Sequence, residues 1–431
     1  MTSEVIVVGS GAGGATLARE LSRRIKGKIL LLESGNRVNI KQAYTQYKNY
    51  LTPPVEGPVH EDMPFWPGQG LEIARLTCVG GTTLVTAGTC VRKLEDELKK
   101  LEIDLSHEFE SLEHELKVNN TPDWILGRGT KKILSACESL GYDVTPMPKF
   151  IDFSKCKSKL CGSCTLGCPE NAKWSALEFL KEAEEHGLIL QQNTRVDRVL
   201  IKNKRVVGVR ANGRDIFSRA VVLAAGAIGT PLILRASGCE DEVGKNLFVN
   251  TYVTVGGIMN GVEFNKEVTM GLLINEQSDR KLMLAPHYAR RIVKILTQRG
   301  LKVKEEDVIG IMVKIGDENQ GEVKNDGTIV KYLTENDFIT LSDGVQAASE
   351  ILEEAGVNPS SIVCTNPRGA HPGGTARIGG FVRAPELETE IEGLYIADAS
   401  LLPESTGGPP ILTIMALAKR IARNMLDQQE V

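Results

Sequence analysis

Four of the nine cysteines fall within one stretch of thirteen residues. Their spacing is Cys156-x4-Cys161-x2-Cys164-x3-Cys168, and a proline follows the last of them. Four thiolates held close together can bind an iron–sulfur cluster or a tetrahedral zinc ion. The C-x2-C-x3-C-P ending favours a [4Fe-4S] cluster, because zinc sites more often pair two C-x2-C knuckles across a longer gap. Zinc is the second alternative, and disulfides or free thiols are the third.

A second group of chemically informative residues lies near the start of the chain. The motif G-x-G-x-x-G occurs as Gly9-Ser10-Gly11-Ala12-Gly13-Gly14, and the strand after the next helix ends at Glu33. The first glycine permits a tight turn, the second lets a pyrophosphate approach the backbone, and the third lets helix pack on strand. The helix N-terminus would stabilise the phosphates, and the glutamate would accept the ribose hydroxyls. This combination predicts a dinucleotide site for FAD or NAD, since the acid disfavours a 2′-phosphate.

Hydrophobic patterning identifies the elements that must position these residues. The glycine motif joins a buried strand at 5–8 to an apolar helix, and Ile29–Leu32 forms the next strand. A further apolar strand at 221–226 also ends in glycine, and another at 393–398 leads through a Pro/Gly-rich turn into a helix over 411–426. A turn that leads into a helix N-terminus suits a phosphate or an anionic ring edge. The pattern predicts an α/β fold.

The middle of the chain has a different pattern. Residues 250–340 alternate polar and apolar side chains, with a hairpin turn at Asn325-Asp326-Gly327, and a helix is predicted over 343–355. These features predict a second domain built on an antiparallel sheet. Residues 94–118 and 130–141 are predicted to be charged amphipathic helices that cover a core.

The segment after the glycine motif distinguishes the two dinucleotides. A NAD domain would be completed by further βα units, but residues 36–75 are polar and proline-rich and are predicted to form a long excursion or lid. The next segment, Gly80-Gly81-Thr82-Thr83, could lie against an extended cofactor, with a flexible surface loop as the alternative. Both segments favour FAD.

Composition and charge exclude several classes of protein. The 431 residues are 42% hydrophobic and 25% charged, so disordered, fibrous and collagen-like chains are excluded. The net charge of −4 gives no electrostatic reason to expect nucleic acid or an anionic membrane. No apolar run reaches the ~18–20 residues of a membrane span, and residues 1–4 lead into a strand without a signal sequence. The sequence therefore predicts a cytoplasmic protein.

Several spaced segments carry a family resemblance. The most specific are His-Pro-Gly-Gly-Thr at 371–375 and Leu-Tyr-Ile-Ala-Asp-Ala-Ser at 394–400. The others are 5–14 with Glu33, 80–83, 221–229, 243–247 and the remainder of 393–417. In order and spacing, over roughly half of its length, the chain resembles the glucose–methanol–choline (GMC) family of FAD-dependent oxidoreductases.

The resemblance implies a fold of two parts. An α/β, Rossmann-like FAD-binding domain would be built from the discontinuous segments 1–92, 170–249 and 365–431. An α+β substrate domain with a mostly antiparallel sheet would comprise 93–169 and 250–364, including the cysteine loop 156–168.

The resemblance also implies which residues hold FAD. The ADP half would bind the glycine motif with Glu33 and Ser34, and Val196 would meet the adenine through its backbone. The residues implied along the flavin, the pyrophosphate and the ring are Gly80, Gly81, Thr82, Ala225, Gly226, Asp398, Ala399, Pro410 and Ile411.

His371 matches the family's active-site histidine. Oxidation of an alcohol removes the hydroxyl proton together with a hydride to flavin N5, and an imidazole that titrates near neutrality can take that proton. A loop histidine bonded to backbone is the alternative. The other histidines are divided between predicted surface positions, His107, His114 and His186, and candidates for the substrate cleft, His60 and His287.

Two positions depart from the family pattern. Members usually carry a second His or Asn in the late turn, where Pro409 stands here, and proline can neither donate a hydrogen bond nor act as a base. Thr406, Ser405 and Asn250 are the candidate substitutes. The family's asparagine after the double glycine is Thr86 in this chain.

The predicted function is a FAD-dependent dehydrogenase. It would oxidise the CH–OH group of an alcohol, polyol or sugar-like substrate, with His371 as base. Electrons could leave through the iron–sulfur cluster to a ferredoxin-like one-electron carrier, which would favour a dehydrogenase over an oxidase. The alternatives are a ferredoxin-fed reductase, a lyase-like relative that uses FAD structurally, and a non-catalytic electron-transfer module.

Overall fold

The described chain contains two large sheets, two small sheets of two strands each (Glu322–Val323 with Ile329–Val330, and Asn119–Asn120 with Pro148–Lys149), and the helices around them. The computed structural model describes residues 3–25, 28–39, 71–156, 160–277 and 279–428. The strands are β1 (Ser3–Val8), β2 (Ile29–Leu32), β3 (Glu72–Ile73), β4 (Asn119–Asn120), β5 (Val144–Pro146), β6 (Pro148–Lys149), β7 (Ile189–Gln191), β8 (Val196–Lys202), β9 (Arg205–Ala211), β10 (Arg214–Leu223), β11 (Thr251–Ile258), β12 (Leu272–Gln277), β13 (Leu282–Pro286), β14 (Val308–Ile315), β15 (Glu322–Val323), β16 (Ile329–Val330), β17 (Val363–Cys364), β18 (Arg368–Gly369) and β19 (Leu394–Ile396). The helices are α1 (Ala12–Ser22), α2 (Glu95–Lys100), α3 (Ser106–Glu115), α4 (Arg128–Leu140), α5 (Ala176–Glu185), α6 (Gly226–Ala236), α7 (Arg290–Gln298), α8 (Glu335–Glu354) and α9 (Ile411–Asp427).

The first sheet carries the glycine motif. Its order is β7-β2-β1-β10-β9-β8, and β19 pairs with the second half of β10. The strands β7, β2, β1, β10 and β19 run parallel, whereas β8 and β9 continue the sheet antiparallel. Helix α1 packs against α5 and α9. Because β1 and β2 are covered on both faces, their apolar runs do not alternate, as is typical of parallel strands. The predicted α/β domain is confirmed.

The second sheet is mostly antiparallel, as predicted. Its order is β3-β18-β11-β14-β13-β12-β5, with β17 paired to β11. One face, including Ile309, Ile311 and Val313 of β14, packs in a core with residues of α4 and α8. The opposite face carries a methionine-rich cluster with Tyr252, and Ala370 packs against it, one residue before His371. This second face therefore lies next to the candidate active site.

The charged stretch 94–118 differs from its prediction in two ways. It forms two helices, α2 and α3, because the carboxylate of Asp104 accepts hydrogen bonds from the backbone and hydroxyl of Ser106 (2.9 and 2.6 Å) and starts a new helix there. Its apolar side chains, among them Phe109 and Leu112, join the core of the first sheet. Residues 93–169 are predicted to belong to the second domain, whereas these apolar side chains pack with the first sheet.

Some expectations fall outside the described residues. Residues 40–70, which include most of the expected lid and His60, are among the positions that are not described. Among the helices that are described, none is both long and apolar enough to cross a membrane. The cellular compartment stays a prediction.

Candidate active site

The glycine motif forms a tight turn between β1 and α1. Gly9 has a φ of +101°, and a Cβ at this position would lie 2.3 Å from the carbonyl oxygen of Ala224. A Cβ at Gly14 would lie 2.1 Å from the carbonyl oxygen of Gly9, whereas a Cβ at Gly11 would meet no atom within 4 Å. Packing therefore requires the first and last glycines, and Gly11 faces open space at the helix N-terminus, where a phosphate could approach.

Glu33 is held against this turn and is 5% exposed. Its Oε2 accepts hydrogen bonds from the backbone N–H (3.0 Å) and hydroxyl (2.6 Å) of Ser10, and its Oε1 accepts one from Gly35 N–H (2.8 Å). The backbone carbonyl of Glu33 accepts a hydrogen bond from Thr194 N–H (2.8 Å), which brings the start of β8, at Val196, alongside. Ser34 follows directly. The residues expected around the ribose and the adenine are thus neighbours: Ser10, Glu33, Ser34 and Val196.

Ser10 also forms a hydrogen bond with the second glycine segment, residues 80–83. Its hydroxyl accepts a hydrogen bond from Gly80 N–H (3.0 Å), and a Cβ on Gly81 would lie 3.2 Å from the Cα of Gly11. The hydroxyl of Thr82 accepts a hydrogen bond from Leu76 N–H (3.1 Å) and fixes the segment. The expected flavin-side residues therefore lie directly against the first motif.

Asp398 connects two further segments of the expected cofactor site. Its Oδ2 accepts hydrogen bonds from Gly226 N–H (2.9 Å) and the hydroxyl of Thr230 (2.5 Å), and its Oδ1 accepts one from Ser400 N–H (2.7 Å). Thr230 in turn accepts one from Ala225 N–H (3.2 Å). Burial raises the pKa of Asp398, although these hydrogen bonds oppose the shift. This carboxyl group holds the start of α6 beside the turn that begins at 399.

The same corner meets the beginning of α9. A Cβ at Gly13 would lie 1.8 Å from the carbonyl oxygen of Ala397 and 3.3 Å from the side chain of Ile414. Helix α9 begins at Ile411, directly after Pro410. All the expected cofactor residues thus surround the carboxyl ends of β1, β2, β10 and β19, where ligands of parallel sheets bind. The open position at Gly11 and the buried carboxylate at Glu33 fit the ADP half of FAD.

His371 lies after β18, and its backbone is fixed by a hydrogen bond from its N–H to the carbonyl of Val249 (3.0 Å). Its Nδ1 lies 3.4 Å from Nδ2 of Asn250. Burial, followed by the positive charge of Lys314, lowers the pKa of His371 well below its usual value. The imidazole is therefore neutral at pH 7 and able to accept a proton.

Asn250 brings together the residues expected to replace the partner that is absent at Pro409. Its side chain is fully buried and makes four hydrogen bonds to the late turn. The bonds are from Ser405 Oγ (2.6 Å) and Gly407 N–H (3.1 Å) to Oδ1, and from Nδ2 to Thr406 Oγ1 (2.7 Å) and Gly408 O (3.1 Å). Both amide hydrogens therefore have acceptors in the late turn, and the same amide nitrogen lies beside Nδ1 of His371.

Four buried lysines were not anticipated from the sequence: Lys331, which pairs with Asp317, and three whose pKa is lowered by burial. Lys149, Lys173 and Lys314 are at most 5% exposed, and burial lowers their pKa values to about 8, 8 and 7. Lys149 donates to the carbonyl of Ala87 (2.9 Å), and Lys173 donates to that of Thr86 (2.7 Å). The sequence does distinguish Lys314, because it is the one charged residue in the apolar strand Val308–Ile315.

The cysteine loop lies beside the expected flavin segment. Its short 3₁₀ turn, Cys164–Leu166, packs against the 3₁₀ turn Gly81–Val85. Burial, followed by the neighbouring thiols, raises the pKa of Cys156 to about 11, and Cys161 is exposed while Cys168 is partly buried. Among the described residues, which include all four cysteines, no three His, Cys, Asp or Glu side chains are placed to hold a metal ion. The iron–sulfur and zinc alternatives remain predictions.

Comparison with known sequences gives a consistent result. A family profile described as GMC oxidoreductase matches residues 3–252, and a second profile with this description matches residues 328–418. An uncharacterized protein of Methanocaldococcus jannaschii is 33% identical over 97% of this chain and 99% of its own length. A long-chain-alcohol oxidase of Arabidopsis thaliana is 25% identical over 98% of this chain and 68% of its own length.

Solved structures share the fold at low sequence identity. Pyridoxine 4-oxidase from Mesorbium loti superposes with a TM-score of 0.73 at 15% identity and covers 99% of each chain. A formate oxidase of Aspergillus oryzae, studied for modification of its FAD, superposes with a TM-score of 0.71 at 16% identity, over 100% of this chain and 99% of its own.

Proposed function

Because this chain belongs to the GMC oxidoreductase family, we propose that it is a FAD-dependent enzyme that oxidises the CH–OH group of a small alcohol-type substrate. The observation that carries the proposal is the convergence of four segments that are distant in the sequence. The glycine motif, the 80–82 segment and the 225–226 and 398–399 turns surround one space. His371 and Asn250 contact each other beside the late turn that leads into α9.

The chain would hold FAD mainly through backbone and a single acid. The N-terminus of α1 at Gly11 would face the pyrophosphate, and Glu33 would bind the ribose. The N-terminus of α9, at Ile411, adds a second positive helix end on the same side of the sheet. When bound, FAD supplies the acceptor for the hydride.

His371 would take the hydroxyl proton of the substrate. The depressed pKa keeps its ring neutral, and a neutral imidazole at a fixed position can act as base. Asn250 holds the late turn, through Thr406 and Gly408, at the side of the ring. The amide of Asn250, just before β11, would thus position the late turn and His371 where proline at 409 supplies no polar side chain.

Anaerobic flavin reduction with a panel of alcohols tests this proposal. In His371→Asn the rate of bleaching of the oxidised flavin should fall by about 10²–10⁴-fold with FAD still bound, because the general base is lost. His107→Asn, at an exposed histidine, is the matched control and should behave as wild type. An unchanged rate in His371→Asn would remove the histidine from the mechanism. Turnover with the flavin always oxidised would favour the lyase-like alternative.

A second candidate function concerns the cysteine loop. We propose that Cys156, Cys161, Cys164 and Cys168 bind a [4Fe-4S] cluster, with zinc as the alternative, and that a ferredoxin-like carrier exchanges electrons there. The support is the cysteine spacing and the packing of this loop on the 81–85 turn. Iron and acid-labile sulfide after anaerobic purification test it, and a protein that contains flavin but neither of these would contradict it.

A further inference from the structure

Lys314 lies on the face of the second sheet that is next to His371. It is 2% exposed, directly opposite Tyr252 of β11 and Met283 of β13 in the strand pairing. Its ammonium group lies 4.5 Å from the centre of the Tyr252 ring, and the one hydrogen bond that it makes to a described residue is a long one, 3.4 Å, to the backbone carbonyl of Asn250. The residue whose amide contacts His371 therefore also contacts Lys314.

This ammonium group has no carboxylate partner in the described part of the chain. The nearest acid in sequence is Asp317, whose Oδ2 pairs with Lys331 at 2.9 Å, with both side chains fully buried. Asp317 also accepts the backbone N–H groups of Val249 (3.1 Å) and Thr251 (2.8 Å). Since that carboxylate is already paired with Lys331, Lys314 forms no ion pair with it, although its charge still acts on Lys314.

The side chains packed on Lys314 carry no negative charge, and the charge of Asp317 opposes the effect of burial on its pKa only in part. Its neighbours on this face are Tyr252 and the side chains of Met283 and Met312, which are apolar or aromatic. The guanidinium of Arg368, on strand β18 next to β11, lies 6.0 Å from the centre of the Tyr252 ring and forms an ion pair with Glu72 at 2.7 Å. Burial lowers the pKa of Lys314 to about 7, which is the response expected of an ammonium group that lacks an anion.

We propose that the substrate of this enzyme is an alcohol that also carries a carboxylate, and that Lys314 binds that carboxylate while His371 receives the hydroxyl proton. This inference rests on the proposed function and names its substrate class, a hydroxy acid. A buried ammonium group without a counter-ion is unfavourable, and an entering carboxylate supplies one in a charge-assisted hydrogen bond. An uncharged alcohol would leave the ammonium group unpaired, so the site discriminates against it.

The reaction balances without a further reactant. The C–H bond of the carbinol carbon breaks, and hydrogen leaves with the electron pair to bound FAD. The O–H bond breaks, its proton goes to His371, and a carbon–oxygen double bond forms. The carboxylate is unchanged throughout and serves to orient the hydroxy acid, which becomes an oxo acid.

Matched pairs of acids and amides test the proposal on the FAD-containing enzyme. Lactate, 3-hydroxybutyrate and mandelate are compared with lactamide, 3-hydroxybutyramide and mandelamide, both for anaerobic flavin reduction and for perturbation of the flavin spectrum on binding. At least one acid should bind and reduce the flavin roughly tenfold to hundredfold better than its amide. In Lys314→Met that preference should disappear, and in Lys314→Arg it should be largely retained.

Lys302→Met removes the same charge from an exposed position and should keep the preference for the acid. The inference is overturned if no acid exceeds its amide, or if Lys314→Met discriminates as wild type does. Folding of each variant is checked by its thermal midpoint and FAD content. If uncharged alcohols reduce the flavin and acids do not, only the substrate class fails, whereas no reduction by any alcohol means that the proposed function itself fails.

Discussion

At the residue scale, Asn250 explains how a proline is accommodated in the late turn. The residue has a φ of +49°, a conformation that asparagine tolerates better than most residues. From this position its amide spans the gap between the turn at 405–408 and His371. The sequence allowed Asn250, Ser405 and Thr406 to be named as candidates, but it could not show that they form one network, because they are far apart in the chain.

The Asn250 network gives a testable expectation. Asn250→Ala should lower the rate of flavin reduction by at least tenfold and the free energy of unfolding by about 1–3 kcal/mol, because buried partners lose their hydrogen bonds. Stopped-flow reduction and urea unfolding measure the two effects. Asn336→Ala, at an exposed asparagine, should change neither. A variant that is destabilised but reduces its flavin at the wild-type rate would assign Asn250 a purely structural role.

At the element scale, the sequence predicts that a helix exists more readily than it predicts where the helix begins. Helix α8 was expected to begin near residue 343 but begins at Glu335. The reason is a capping box, in which the hydroxyl of Thr334 accepts Asp337 N–H (3.2 Å) and the carboxylate of Asp337 accepts Thr334 N–H (2.9 Å). Periodicity also could not reveal which core receives an amphipathic helix, as the 94–118 stretch shows, because it identifies an apolar face but not its partner.

In the β1–α1 turn, Gly14 is needed for packing, whereas Gly11 leaves space for the expected cofactor. Gly14→Ala should lower the free energy of unfolding by about 1–3 kcal/mol, since its Cβ would meet the backbone of Gly9 at 2.1 Å. Gly11→Ala should fold normally but bind FAD at least tenfold more weakly, because the space it would fill is the one expected for the pyrophosphate. Urea unfolding of the apoprotein and FAD titration distinguish the two. Equal FAD affinity in Gly11→Ala and wild type would place the pyrophosphate elsewhere.

At the scale of the whole molecule, the two domains meet at a set of buried bases. His371 and Lys314 lie close together there, and His287 extends the set along the same face, with its Nδ1 3.0 Å from the hydroxyl of Thr254. The family segments predicted the cofactor side of this junction, because its chemistry lies in short motifs. On the side of the second sheet the sequence identified His287 but not Lys314, since the position of Lys314 depends on the strand pairing that brings it opposite Tyr252.

These buried bases should make the protein sensitive to mild acid. Burial, followed by the charges of Lys314 and Arg368, lowers the pKa of His287 to about 3, whereas an unfolded histidine titrates near 6.5. Between these values the unfolded chain binds more protons than the folded one. The stability that His287 contributes is therefore complete above about pH 6.5 and is lost as the pH falls towards 3, with a slope of up to about 1.4 kcal/mol per pH unit.

Urea unfolding at a series of pH values from 7.5 to 4.5 measures this slope. His287→Gln keeps a hydrogen-bonding side chain but cannot titrate, so its stability should fall less steeply than that of wild type across this range. His114→Gln, at an exposed histidine, should show the wild-type slope. The carboxylate of Glu115 acts in a separate window, because its pKa is lowered to about 2 and its contribution is lost only below about pH 4.5. Identical slopes in wild type and His287→Gln would mean that the pKa of His287 is the same in the folded and unfolded chains, which contradicts the predicted effect of burial.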